Sequence, residues 1–156
     1  MKPADPARVV AVARLWLGTP YHDQASLRGV GCDCLGLARG VWREVVGEEP
    51  LEVPPYSRDW GEIGQREVLA EAAGATMLPG DPARPSPGML LIFRMHRAAI
   101  AKHCGIVTEM GPEGGRFVHG YERLGVIEEA LTEAWRRRIA FAFHYPRPKR
   151  SRRRKG

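Results

Sequence analysis

The feature that most restricts the fold of this chain is a change of hydrophobic period partway along it. In the first half, apolar residues fall at helical spacing. Val9, Val10, Ala13, Trp16 and Leu17 follow an Asp5-Pro6 start, in which Asp5 caps the helix and Pro6 is its first residue, and Gly18-Thr19-Pro20 ends it. Leu35, Leu37, Ala38, Val41, Trp42 and Val45 mark a second helix over 34–46, stopped by Gly47. A prolyl connector over 49–57 leads to a third, shorter helix over 63–73. Beyond the turn-rich Gly80-Asp81-Pro82 and Pro85-Ser86-Pro87-Gly88 the period shortens. The apolar run 89–93 and the segments 102–110, 116–121, 125–131 and 138–145 read as strands, with Gly111-Pro112-Glu113-Gly114-Gly115 as one of the turns of an antiparallel meander. Helices followed by strands imply an α+β fold, with N-terminal helices packed on a C-terminal antiparallel sheet.

The 156 residues suit one domain, placed at 1–145, and no internal repeat divides it. The net charge of +6 invites a nucleic-acid reading until its location is examined. Seven basic residues and no acid lie in 146–156 (Arg147, Lys149, Arg150, Arg152, Arg153, Arg154 and Lys155), leaving the rest close to neutral. That segment reads as a disordered basic tail, suited to an acidic surface or nucleic acid, and it says nothing about the face of the folded domain. The stretch from Val9 to Leu17 is broken by Arg14 and lacks a small-residue cleavage site, so no signal peptide is expected. With no apolar run of membrane-spanning length, the expected product is soluble and made in the cytoplasm. Three cysteines, Cys32, Cys34 and Cys104, are too few and too clustered for a disulfide scaffold and read as reduced thiols.

The chemistry gathers around one of them. A cysteine is a good nucleophile as thiolate, which a helix N-terminus favours, and Cys34 follows Gly31-Cys32-Asp33 at the start of the second helix. Gly36 lets another backbone come close. His103 is the expected base. His119, 16 residues further on the next antiparallel strand, is expected to orient it by accepting the Nδ1–H of His103 or donating to it. Zinc binding by Cys32, Cys34, His103 and Cys104 is the rival, but their spacing departs from the usual ligand pairs, and neither metal nor cofactor is expected.

Gly18-Thr19-Pro20-Tyr21, Gly31-Cys32-Asp33-Cys34-Leu35-Gly36-Leu37, Pro87-Gly88, His103-Cys104-Gly105-Ile106 and Phe117-Val118-His119 together resemble NlpC-type cell-wall peptidases. Tyr121-Glu122-Arg123 and Trp135-Arg136-Arg137-Arg138 resemble the phage-tail and gene-transfer-agent branch of that family. The resemblance implies a papain-like fold and a Cys34, His103, His119 triad. It implies hydrolysis of peptidoglycan stem peptides, typically between D-glutamate and a diamino acid, and substrate contacts from Tyr21 and Asp33. It also implies delivery to the cell wall in a phage-like tail, with baseplate proteins as partners. A related thiol acyltransferase or amidase, and a tail-tip protein that keeps the fold without activity, are the alternatives. Leu35 in place of a serine, Cys104 in place of a small residue and Met89 in place of an aspartate are departures from the pattern, and none removes a reacting group.

Overall fold

Asp5 accepts the Ala7 N–H at 3.0 Å and opens α1, Pro6–Leu15, as the Asp-Pro pair requires. The computed structural model describes residues 1–51 and 66–148. Part of the prolyl connector, the expected start of the third helix at 63–65 and most of the basic tail, 149–156, lie outside those residues. Helix α2 spans Cys34–Val45 and α3 spans Val68–Thr76, which carries the third helix three residues beyond its expected end. A short hairpin joins β1, Ser26–Leu27, to β2, Gly31–Cys32.

The second half forms the sheet. Its strands are β3 (Leu78–Pro79), β4 (Met89–Phe93), β5 (His103–Gly111), β6 (Gly114–Tyr121), β7 (Gly125–Leu131) and β8 (Ile139–His144). They pair antiparallel in the order β3-β8-β4-β5-β6-β7. The expected meander holds from β4 to β7 and then fails, because β8 returns across the sheet to lie against β4. The reason is in β4 itself. All five of its residues are buried, so it needs a neighbour on each side and belongs at the centre. The return passes through α4, Glu133–Arg136, a helix too short to show in the apolar period and capped by Thr132.

The sheet separates two apolar layers. Leu90 and Ile92 of β4, Cys104 and Ile106 of β5, and Val118 of β6 face α1 and α2, where Val9, Val12, Trp16, Leu37 and Val41 complete the larger core. Alternate residues, Leu91, Phe93, Val107 and Phe117, pack with Leu131 and Trp135 on the opposite face. The chain end is drawn in as well. The Tyr145 hydroxyl donates to the Ala38 carbonyl at 2.9 Å, and Pro146 and Arg147, read from sequence as the start of the tail, pair with Pro3 and Lys2.

Two glycines set how closely the helical half approaches the sheet. A Cβ on Gly36 of α2 would overlap the Ala25 carbonyl, as its sequence position leads one to expect. A Cβ on Gly120 of β6 would stand 3.2 Å from the Asp33 carbonyl and 3.3 Å from the Cys34 nitrogen, so the start of α2 rests directly on this strand. Replacing Gly36 by Ala is therefore expected to destabilise the protein the most. Gly120→Ala should cost roughly 1–3 kcal/mol, and Gly111→Ala, whose new methyl meets nothing closer than 3.9 Å, less than about 0.5 kcal/mol. Urea midpoints of the three variants give the ranking, and equal midpoints would mean that α2 is not held by this contact.

Candidate active site

The loop before α2 is built around Asp33. One carboxylate oxygen accepts the Gly36 N–H at 2.7 Å, capping the helix, and the other accepts the Gln24 N–H at 2.8 Å. The side chain is buried. Cys34 is thereby fixed as the first residue of the helix, half-buried, with the positive end of the helix dipole behind it.

The neighbours of Cys34 come from β5. The Cys104 thiol donates to the Cys34 carbonyl at 3.3 Å, and both the Cys104 thiol and the His103 ring lie close enough to act on the Cys34 side chain. The Cys104 thiol is the largest influence holding Cys34 well below the ordinary thiol range; desolvation opposes it, and His103 and the Cys104 N–H reinforce it. The same contact, with burial, pushes Cys104 well above that range. Of the two sulfurs, Cys34 is thus the thiolate, since it alone has the helix end and the imidazole beside it. A 3.7 Å approach of its Sγ to the Lys102 carbonyl is available to the protonated thiol only. Cys32 is different. It is fully buried, and desolvation first, then the charges of Asp33 and Cys34, push it up to about 12.

His103 and His119 meet as the strand spacing anticipates, but through other atoms. His103 presents Nε2, rather than Nδ1, to Nδ1 of His119 at 2.7 Å, and the two rings stand edge to face with centroids 5.0 Å apart. With Nε2 engaged by His119, Nδ1 is the nitrogen left for the Cys34 side chain. His119 is fully buried, and that burial, followed by the charge of His103, pushes it down to about 4 against the opposing pull of Glu129. Burial thus favours the neutral His119 ring at physiological pH.

Two further residues join the cluster without having been singled out for it. Glu129 of β7 places Oε2 3.0 Å from Nε2 of His119, while its Oε1 accepts the Trp135 indole N–H at 2.9 Å. Trp135 also flanks both imidazoles, 5.8 Å from His103 and 5.2 Å from His119. The signal for Glu129 lay in the hairpin. With His119 paired to Ile127, the residue two further along β7 is its diagonal neighbour on the same face.

Of the residues expected to bind substrate, Tyr21 lines the cleft beside His103, together with Tyr121, Glu122 and Arg123. Burial raises its phenol, with the charges of Cys34, Asp33, Asp23 and Glu122 adding to it. Asp33, by contrast, has its carboxylate turned onto backbone N–H groups, and its first task is structural. Among the described residues, no group of three or more His, Cys, Asp and Glu side chains is arranged to hold a metal ion.

No family model matches the chain, and no curated protein matches it. Solved structures do. The NlpC/p60 domain of the peptidoglycan hydrolase SagA superposes with a TM-score of 0.61 at 19% identity, covering 89% of this chain and 97% of that one. An NlpC/p60 family protein from Bacillus cereus gives 0.63 at 17% identity over 92% of this chain, and an NLP/P60 family protein similar to a lipoprotein, from Staphylococcus aureus, gives 0.58 at 18% over 94%. The chain spans only 41% and 44% of those two longer proteins. At such identities the likeness is one of fold: the chain has the α+β, papain-like architecture of NlpC/p60 domains, with α1 and α2 on one face of an antiparallel six-stranded sheet.

Proposed function

We propose that this protein is a cysteine peptidase of the cell wall, which cleaves peptidoglycan stem peptides through Cys34, His103 and His119. The observation that carries the reading is the chain of contacts from a thiol held as thiolate at the start of α2, through the His103 ring, to Nδ1 of His119 at 2.7 Å. The Cys34 thiolate attacks the scissile carbonyl carbon. Its own backbone N–H, unpaired within the first turn of α2, faces the developing oxyanion. His103 gives its proton to the departing amine, and an acyl-enzyme remains. His103 then takes a proton from water as the water attacks the thioester, and the thiolate leaves.

The substrate class follows from the cleft and from the neighbours in fold. Asp23, Asp33 and Glu122 surround Tyr21 with negative charge, which favours an amine, while Arg123 on the same wall offers a partner for a carboxylate. A stem peptide carries both, and the bond between D-glutamate and a diamino acid fits that placement. In this reading Tyr21 touches substrate, and Asp33 acts through its charge and through the loop it holds. Delivery in the tail of a phage-like or gene-transfer-agent particle, to baseplate partners, rests on the Tyr121-Glu122-Arg123 and Trp135-Arg136-Arg137-Arg138 resemblance. The basic tail is the segment for an acidic surface.

Digestion of purified peptidoglycan, read by mass spectrometry, tests the reaction. The wild type is expected to release fragments cut within the stem peptide, Cys34→Ala none, and Cys32→Ser nearly as many as the wild type, since Cys32 is a buried packing residue. Transfer to an added amine in place of hydrolysis would identify an acyltransferase, and wild-type cleavage by Cys34→Ala would remove the assignment.

The thiolate can be followed separately. Alkylation of Cys34 by iodoacetamide is expected to reach half its maximal rate well below the ordinary thiol value of about 8.5, and His103→Ala should move that midpoint upward. The sign follows from the contacts: losing a cation partner disfavours the charged sulfur. An ordinary midpoint in the wild type would mean that Cys34 is an inert thiol.

A further inference from the structure

The neutral His119 ring has one N–H and two polar neighbours, so its proton has to be assigned from the groups around it. The assignment starts at Trp135, whose indole nitrogen can only donate. It donates to Oε1 of Glu129 at 2.9 Å, which leaves Oε2 facing Nε2 of His119 at 3.0 Å. A carboxylate accepts only, so the His119 proton must lie on Nε2. Its Nδ1 then carries a lone pair, and the His103 nitrogen 2.7 Å away, Nε2, must bear a proton to donate to it. In neutral His103 this leaves Nδ1 as the basic nitrogen, on the side of Cys34.

We propose that Glu129, with its second oxygen held by Trp135, is the positioning residue that sets the tautomers of both histidines and so makes Nδ1 of His103 the atom exchanging a proton with Cys34. The tautomer assignment stands on the hydrogen-bond geometry together with the burial that keeps His119 neutral, and its consequence for turnover rests on the hydrolase reading above. Burial of His119, which keeps that ring neutral, agrees with a ring that relays orientation and holds no charge. Glu129 touches neither the thiol nor the cleft wall, so its effect is transmitted through His119. Strand β7 supplies the side chain from the diagonal position, and α4 supplies the indole that fixes it.

Glutamine at position 129 makes a sharp test, because one amide cannot serve both neighbours. If its oxygen accepts from His119, its NH₂ meets the Trp135 N–H, donor against donor. If the oxygen accepts from Trp135, the NH₂ donates to Nε2 of His119 and forces that ring's proton onto Nδ1, against the His103 N–H. Removing the indole N–H relieves the conflict. Glu129→Gln is therefore expected to lower kcat about 10- to 100-fold with KM little changed, and Trp135→Phe in the Glu129→Gln background is expected to recover much of that loss. A purely structural role for either residue would make the double variant worse than each single one.

Long-range proton–nitrogen correlation spectra of histidine-labelled protein read the tautomers without reference to activity. The wild type at neutral pH should show His119 protonated on Nε2 and His103 bonded to it through Nε2–H. Glu129→Gln should invert or mix the His119 tautomer, and the double variant should restore it. An Nδ1-protonated His119 in the wild type would overturn the proposal even if Glu129→Gln did not fold. An unaltered tautomer and rate in Glu129→Gln, or no recovery in the double variant, would overturn it too. The expected tautomers in a wild type that cleaves no stem peptide would leave the positioning role standing and remove the peptidase reading.

Discussion

The carboxylate of Asp33 is the fixed point from which the rest of the site is measured. With one oxygen on the first turn of α2 and the other on the Gln24 N–H, it determines both where the helix begins and how the preceding loop folds back on it. The loop and helix then rest on Gly120, the residue after His119, so the thiol and the His119 imidazole are located by the same stretch of β6, and His103 joins them from β5. Any rotation of α2 that displaced Cys34 would have to break a buried carboxylate's hydrogen bonds, which is costly because the group would be left charged and unpaired. The two halves of the chain are joined most tightly where the chemistry is placed.

The sheet imposes a second constraint. Strand residues alternate between two faces, and a slip of one residue between β5 and β6 would send one histidine into the helical core. Cys104 and Ile106 are committed to that core, and Phe117 to the other face. Packing therefore holds the register that brings His103 and His119 together, and His119 adds to it by stacking on Phe117 with centroids 4.3 Å apart. Trp135 serves both purposes, filling the outer core with Phe93 and Phe117 while its indole nitrogen reaches the Glu129 carboxylate.

Much of this was legible in the sequence because it is local. The helical starts at Pro6 and Cys34, the apolar periods and the strand limits from Met89 onward all depend on residues within a few positions of one another, and the structure has them within one or two residues of where the pattern puts them. The spacing of His103 and His119 was legible for the same reason, since a hairpin converts separation into register. The return of β8 to β4 was not, because nothing in Ile139 to His144 names its partner; that pairing is settled by β4 needing cover on both edges. The ring edge of His103 was also beyond reach, since a side-chain rotation leaves no trace in spacing. Glu128 and Glu129 are neighbours in β7, and alternation divides them. Glu128 meets Arg14, Thr108 and Arg116 on one side, and Glu129 meets His119 on the other.

That division shows how the site keeps its charges apart. Burial pushes the His119 ring toward its neutral form, while the His103 ring beside Cys34 is one of the contacts that hold that thiol low. The Cys104 thiol, pushed up by its contact with Cys34 and by burial, keeps its proton and donates it to the Cys34 carbonyl. A cysteine after the base, at odds with the resembling family's small residue, is thus compatible with the arrangement: it faces the helical core, fills it as a small apolar group, and turns its one proton toward Cys34. The negative charge of Glu129 lies at the far end of the row, two rings away from the sulfur, where it holds the His119 ring without opposing the thiolate directly. A carboxylate in direct contact with His103 would act on that ring directly, but it would stand nearer the sulfur. The neutral ring between them separates the two anions while passing the hydrogen-bond polarity through.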